Sequence, residues 1–282
     1  MTPPARAFTV AAVQMRSTDD RKRNLDTAEA LAAEAAGRGA HLIAFPENVA
    51  DLRAEGSVGP PAEPIDGPTA LRFATMAARH RAWILAGTIA LRNPRGRKRH
   101  NASILFAPDG SVSAVYRKMH LFDVAIPGRA VFSESSTVAA GNTPVVVSTP
   151  LGVFGLSICY DLRFPELYRH LALAGATVLF VPSAFTAYTG RAHWTALLRA
   201  RAIENLAYVV APAQWGEHHA GRRSYGHTCV IDPWGRVVAE RPGGTGIVLA
   251  RIDLTRVARL RRELPALTHA RPELLGRLPG SD

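Results

Sequence analysis

A mixed α/β protein, its sheet covered by helices, is the fold class this sequence predicts, and three observations predict it. Short β-rich apolar runs alternate with longer stretches whose apolar residues fall at helical spacing. Tight-turn signatures join some of the strands directly, which mixes antiparallel hairpins into the strand–helix order. No Pro/Gly/Ser-rich linker divides the 282 residues, so a single domain over 1–282 is expected.

The elements follow in order. FTVAAVQ (8–14) reads as a buried strand, and Leu25, Ala28, Leu31, Ala32 and Ala35 mark a helix over roughly 20–37, which Gly37 and Gly39 end. HLIAF (41–45) is a second strand, and a helix follows Pro68. WILAGTIA (83–90), NASILFA (101–107) and SVSAVYR (111–117) read as strands, the last two forming a hairpin around Pro108-Asp109-Gly110. The second half repeats the theme with VFGLSIC (153–159), a helix after Phe164-Pro165, TVLFVPS (177–183) and a long helix near 191–206. YVVAPAQ (208–214), a hairpin in HTCVIDPWGRVVAE (227–240), the strand IVLARIDL (247–254) and a basic helix complete the pattern.

Composition excludes several classes. A 47% hydrophobic content suits a large core rather than disorder. No run approaches the roughly 18 apolar residues of a membrane helix, and MTPPARAFTVAAVQM reaches Gln14 too soon for a signal peptide. A cytoplasmic protein without membrane partners is expected. The net charge is +11, yet the basic residues are scattered, apart from a loop at 92–100 and the solvated face of a helix at 256–265. Neither is interleaved with aromatics, so nucleic acid is not an expected partner. Cys159 and Cys229, the two cysteines, give neither a disulfide framework nor metal-ligand spacing. Cys229, within a strand, reads as inert core. His218-His219 could ligate a metal, but a polar surface loop is the preferred reading. No phosphate-binding or dinucleotide-binding glycine motif is present, and no metal or cofactor is expected.

Three polar residues stand just past apolar runs: Glu47 in HLIAFPEN, Lys118 in YRKMHLF and Cys159 in GLSICYD. Taken singly they read as a loop carboxylate, a solvated charge and a core thiol. Active sites of α/β sheets gather beyond the carboxyl ends of strands, so the three can converge. Of 34 basic residues only Lys22, Lys98 and Lys118 are lysine, and an ammonium serves as a compact charge where a guanidinium is too bulky. A nucleophilic thiol needs a base or a positive neighbour. Glu47 can take its proton, and Lys118 with the backbone N–H of Tyr160 can stabilise an oxyanion.

These motifs resemble the nitrilase superfamily of carbon–nitrogen hydrolases, from VAAVQM through AFPEN, KMHLFDVAIPG and ICYDLRFPELYR to YGHTCVIDPWGRVVAE. The resemblance implies a Glu47–Lys118–Cys159 triad, with Glu134 in VFSESS as a second glutamate that positions substrate and assists proton transfer. It implies an αββα sandwich that pairs through helices into an αββα-αββα homodimer or a larger homo-oligomer. AIPG, SAFTAYTGRAHW and LLRARAIEN look most like the deaminated-glutathione amidase branch, with ω-amidases close by. The implied reaction is hydrolysis of a small carboxylate-bearing linear amide through a thioester, with the branch's form as the preferred reading: deaminated glutathione to 2-oxoglutarate and cysteinylglycine. ω-Amidase action on 2-oxoglutaramate or 2-oxosuccinamate is the alternative, and a binding scaffold without turnover is the reading from another class. Ser183 and Phe185 are candidates for pocket wall. Arg163 either binds a substrate carboxylate or, as the preferred reading, forms an ion pair with Glu166 or another acid. His120 belongs either to the pocket or to structural hydrogen bonding. Tyr188 and Arg191 are candidates for a pocket rim that alters which amide enters.

Overall fold

Asp20 starts the first helix by accepting the Arg23 N–H at 3.0 Å, and Pro68 starts the second with its φ already set for a helix. The structure is a computed structural model and describes residues 6–54, 57, 61–126, 130–219, 221–271 and 273. Its first half contains β1 (Ala7–Gln14), α1 (Arg21–Gly37), β2 (Leu42–Ala44), α2 (Pro68–His80), β3 (Trp83–Leu85), β4 (Ile89–Leu91), β5 (His100–Phe106) and β6 (Val112–Arg117). A ribbon of β7 (Asp123–Ile126) and β8 (Ala130–Ser133) leads to β9 (Val145–Thr149), β10 (Gly152–Leu156), α3 (Pro165–Leu173), β11 (Val178–Phe180), α4 (Ala187–Asn205) and β12 (Tyr208–Ala211). A second ribbon, β13 (Trp215–His219) with β14 (Arg222–Tyr225), precedes β15 (Thr228–Ile231), β16 (Val237–Arg241), β17 (Gly246–Asp253) and α5 (Leu254–Glu263).

Two sheets result. One has the order β17-β1-β2-β3-β5-β4 with β6 on β5, and the other β16-β15-β12-β11-β10-β9. Strands β1, β2 and β3 are mutually parallel, as are β10, β11 and β12. The side-chain period of two then decides which layer each residue joins. On β1, Val10 and Ala12 face the second sheet, whereas Ala11 and Val13 pack under α1 and α2. The same division puts Leu42, Ala44 and Leu105 between the sheets and Ile43 and Ile104 under the helices. Phe8 meets Phe154 across the sheets with ring centroids 6.1 Å apart, and Phe154 continues to Phe180 at 5.2 Å. Helices α3 and α4 cover the far face of the second sheet. The layers are therefore α, β, β and α, as expected. The central strands of each sheet are buried on both faces, which explains why strands such as LIA read as unbroken apolar runs.

Four sequence readings need correction. WILAGTIA is two strands, because Gly87 turns the chain at φ +62°, and a Cβ there would sit 1.9 Å from the Pro46 carbonyl oxygen. The strand before Cys159 ends at Leu156, so the cysteine lies beyond the sheet on a turn. His218 and His219 are on β13 rather than in a loop, and His218 is buried between the Ser17 carbonyl and the Ser224 hydroxyl. The two ribbons and β9 were not foreseen. The ribbons lack the apolar alternation of a core strand, since neither is part of a large sheet. Among the described residues, no helix is long and apolar enough to cross a membrane.

Candidate active site

The carboxyl ends of the parallel strands in both sheets open toward one cavity of about 460 Å³, a volume typical of small-molecule sites. Glu47 lies three residues beyond β2. Strand β6 pairs antiparallel with β5, which pairs antiparallel with β3. It therefore runs in the direction of β3 and delivers Lys118 to the same edge. Cys159 follows β10 in the facing sheet. Glu47, Lys118, Cys159, Glu134, Tyr160 and Phe185 all line the cavity.

The Glu47 carboxylate is 3% exposed and engaged on both oxygens. Oε1 accepts from Lys118 Nζ at 3.0 Å and from Asn101 Nδ2 at 3.0 Å, and Oε2 accepts from the Ala184 N–H at 2.8 Å. Its loop is fixed from behind. Asn48 adopts φ +55° with its N–H on Thr88 Oγ1 at 2.8 Å, and Gln214 Nε2 donates to the Glu47 carbonyl at 2.9 Å. Lys118 is 2% exposed and lies between two acids, donating to Glu47 and, at 2.8 Å, to Glu134 Oε2. Glu134 sits on a 3-10 turn, takes the Phe122 N–H at 2.8 Å, and shares Asn101 with Glu47 at 3.2 Å. Two carboxylates flank one ammonium, and Asn101 ties the acids together.

Cys159 occupies a sharp turn at φ +46°, a left-handed conformation unusual for a residue with a side chain. Its N–H is held by the Pro182 carbonyl at 3.0 Å, and a 3-10 turn over Cys159–Arg163 begins with it. The Tyr160 N–H follows at the first step of that turn.

Burial and charge set the protonation states. Burial acts to raise the Glu47 pKa, but the charge of Lys118 and hydrogen bonds from Lys118, Cys159 and Ala184 outweigh it, so Glu47 is held below the usual carboxylate range. Burial likewise opposes the charged form of Lys118, yet Glu134, Glu47 and Cys159 together hold its pKa well above that of a free lysine. Cys159 goes the other way. Burial first, and the Glu47 charge second, raise its thiol well above the ordinary value, and Lys118 offsets only part of this. At neutral pH the resting site is a neutral thiol beside an ionised carboxylate and an ammonium. Such a thiol is activated by proton removal during attack, not by a standing thiolate.

The other sequence candidates divide. Phe185 and Tyr160 are cavity wall, but Ser183 is not: its Oγ donates to the Val181 carbonyl at 3.0 Å, buried behind Ala184. His120 also lies outside the wall, stacked on Phe164 at 3.7 Å and bonded through Nδ1 to Asp161 at 2.7 Å. Arg163 does not line the cavity and does not pair with Glu166. Its guanidinium lies over the rings of Phe185 and Tyr160 at 5.3 Å and 5.8 Å and meets His193 Nδ1 at 3.2 Å. Tyr188 and Arg191 are likewise absent from the wall. Cys229 is buried on β15, where burial pushes its thiol pKa up. Sequence reasoning missed Asn101, a polar residue opening the apolar run NASILFA, and the Ala184 amide, which carries no side-chain signal.

Comparison with known proteins adds independent findings. A family model described as carbon-nitrogen hydrolase matches residues 9–262. A deaminated glutathione amidase of Synechocystis sp. is 46% identical over 266 residues, covering 93% of this chain and 97% of that protein. A deaminated glutathione amidase of Homo sapiens is 45% identical over 274 residues, covering 95% and 84%. The crystal structure of the C. elegans NitFhit protein matches 96% of this chain with TM-score 0.87 and 36% identity, and this chain spans 66% of that one. A Saccharomyces cerevisiae member of branch 10 of the nitrilase superfamily matches with TM-score 0.82 and 31% identity over 93% of this chain and 96% of that one.

Proposed function

The chain belongs to the carbon-nitrogen hydrolase family of the nitrilase superfamily, and from that premise we propose that it is a cysteine amidase whose substrate is deaminated glutathione. One observation carries the chemistry: a buried ammonium bridging two carboxylates, one of which also faces a buried, neutral thiol. Such an arrangement costs several kcal/mol of desolvation per ion and gives little stability over an apolar core. Its use is in reaction.

In this reading Glu47 takes the Cys159 proton as Sγ bonds to the amide carbonyl carbon. The oxyanion forms against Lys118 Nζ and the Tyr160 N–H, donors already in place and shielded from water. Glu47 then passes the proton to the departing nitrogen as the C–N bond breaks, leaving a thioester. Water attacks that carbon with its proton going to Glu47, the C–S bond breaks, and the proton returns to sulfur. Glu134 keeps Lys118 charged and fixed through the cycle.

The substrate assignment rests on the relatives named deaminated glutathione amidase and is supported by the cavity wall, where Arg53, Arg99, Arg222 and Arg223 suit an amide that bears carboxylates. The measurement that tests it is kcat/KM for deaminated glutathione against 2-oxoglutaramate, with 2-oxoglutarate release as readout. A ratio well above tenfold is expected, and a reversed ratio moves the assignment to an ω-amidase. The reading includes a homo-oligomer paired through helices, as the resemblance to the nitrilase superfamily implies. Light scattering at micromolar concentration tests it.

A further inference from the structure

Asp161 is wholly buried, two residues from Cys159, and takes no part in the chemistry above. Its carboxylate accepts four hydrogen bonds from two different segments. Oδ2 takes the Ile158 N–H at 2.8 Å and the Tyr116 hydroxyl at 2.8 Å. Oδ1 takes the His120 N–H at 3.0 Å and His120 Nδ1 at 2.7 Å. The Asp161 N–H returns a bond to the Ile158 carbonyl at 3.0 Å, closing a clamp around the residue that precedes the left-handed cysteine. On the other side, Tyr116 and His120 bracket Lys118, and the Tyr116 hydroxyl also accepts the Met119 N–H at 3.3 Å.

We propose that Asp161 is the positioning residue that sets the nucleophile and the oxyanion-binding ammonium in register. The argument is one of connection. Cys159 and Lys118 are carried by different sheets, Cys159 beyond β10 in one and Lys118 beyond β6 in the other. Side-chain placement must hold to about 0.5 Å for such a pair to act together. The Glu47 carboxylate links their side chains, but a carboxylate that must accept and release a proton in each cycle cannot also be the fixed spacer. Asp161 makes the link through backbone, binding Ile158 N–H just before one group and His120 N–H just after the other. A buried carboxylate with its donors supplied from both sides is rigid, because each lost bond leaves an unsatisfied buried group. The left-handed turn at Cys159 is thereby held by two bonds on the residue before it, at the Ile158 N–H and the Ile158 carbonyl.

Asp161→Asn tests this, since the amide keeps the size but turns an NH2 toward donors. The inference rests on the proposed amidase reading, so the wild type is assayed first. No turnover of any amide by the wild type would end that reading alone. The inference is then decided by the rate at which iodoacetamide labels Cys159, which a displaced Glu47–Cys159 pair would lower in Asp161→Asn and an unrelated aspartate would leave unchanged. With turnover, Asp161→Asn is expected to lose ten- to a thousandfold in kcat with KM within about threefold, and Tyr116→Phe, which deletes one of the four donors to Asp161 and the acceptor of the Met119 N–H, three- to tenfold. A purely structural role would instead lower the melting temperature while the folded fraction kept wild-type kcat. That result, or wild-type kcat in both variants, overturns the proposal. If Asp161→Asn does not fold, Tyr116→Phe decides it on the same kcat criterion.

Discussion

Lys118→Met removes the cation between the buried Glu47 and the half-buried Glu134, and the charge arithmetic of the cluster makes its consequence specific. The native cluster of Glu47, Lys118 and Glu134 carries one net negative charge, with donors on each carboxylate. Methionine fills much of the same volume but leaves two carboxylates sharing Asn101 with no ammonium. Removing one partner of a buried ion pair costs about 3–5 kcal/mol, a large share of a typical stability of about 5–15 kcal/mol. At about 2 °C per kcal/mol for a chain of this size, the melting midpoint at pH 7 should fall by about 6–10 °C.

The pH dependence discriminates further. In the wild type the folded pKa of Glu47 is depressed, so its contribution is present above the unfolded carboxylate pKa and is lost only as pH falls through the lower folded value. Without Lys118, burial and the neighbouring Glu134 raise the folded pKa of one acid above its unfolded value. That group then favours folding at low pH and disfavours it as pH rises. The penalty for Lys118→Met should therefore shrink between pH 7 and pH 5, by at most about 1.4 kcal/mol per pH unit for one proton. Urea unfolding of both proteins at pH 5, 6, 7 and 8 measures it. A penalty that is constant across that range, or larger at pH 5, would refute the assignment of these charges.

Other outcomes follow from the same geometry. Glu47→Gln should reduce kcat by about 10²–10⁴, the range for loss of a general acid–base, while retaining the fold because Glu134 still neutralises Lys118; circular dichroism and steady-state rates separate the two effects. Gly87→Ala should lower both activity and melting temperature, since the added Cβ meets the Pro46 carbonyl oxygen at 1.9 Å beside Glu47. Arg99→Ala should raise KM for deaminated glutathione with kcat little changed, and a variant with wild-type KM would remove Arg99 from substrate binding. Cys229→Ala should leave kcat intact and cost about 1–2 kcal/mol in stability as a small core truncation.

Much of this was legible in the residues, for identifiable reasons. The helix over roughly 20–37 and the helix after Pro68 announce themselves through apolar periodicity and an N-terminal proline, both local signals. Glu47, Lys118 and Cys159 were legible because each stands just past an apolar run, at the strand ends where α/β sites gather, and because their contexts resemble the nitrilase superfamily. What escaped depends on distant parts of the chain. Ser183 was read as wall because it ends an apolar run, yet the group presented to the site is the next residue's amide, aimed at Glu47 from 137 positions away. Arg163 was given an acid partner close in sequence, whereas the fold supplies aromatic faces from Tyr160 and Phe185. The break at Gly87 reflects the approach of Pro46, a contact no local pattern encodes. Asp161 looked like one more polar residue after Cys159, and its four donors come from residues at 116, 120 and 158.

The central claim, a thiol nucleophile at Cys159 acting on a carboxylate-bearing amide, is tested most directly by 2-oxoglutarate release from deaminated glutathione by the wild type and by Cys159→Ala. The wild type should release 2-oxoglutarate and cysteinylglycine in equal amounts, and the folded variant should release neither above background. Turnover by Cys159→Ala at the wild-type rate would contradict the account.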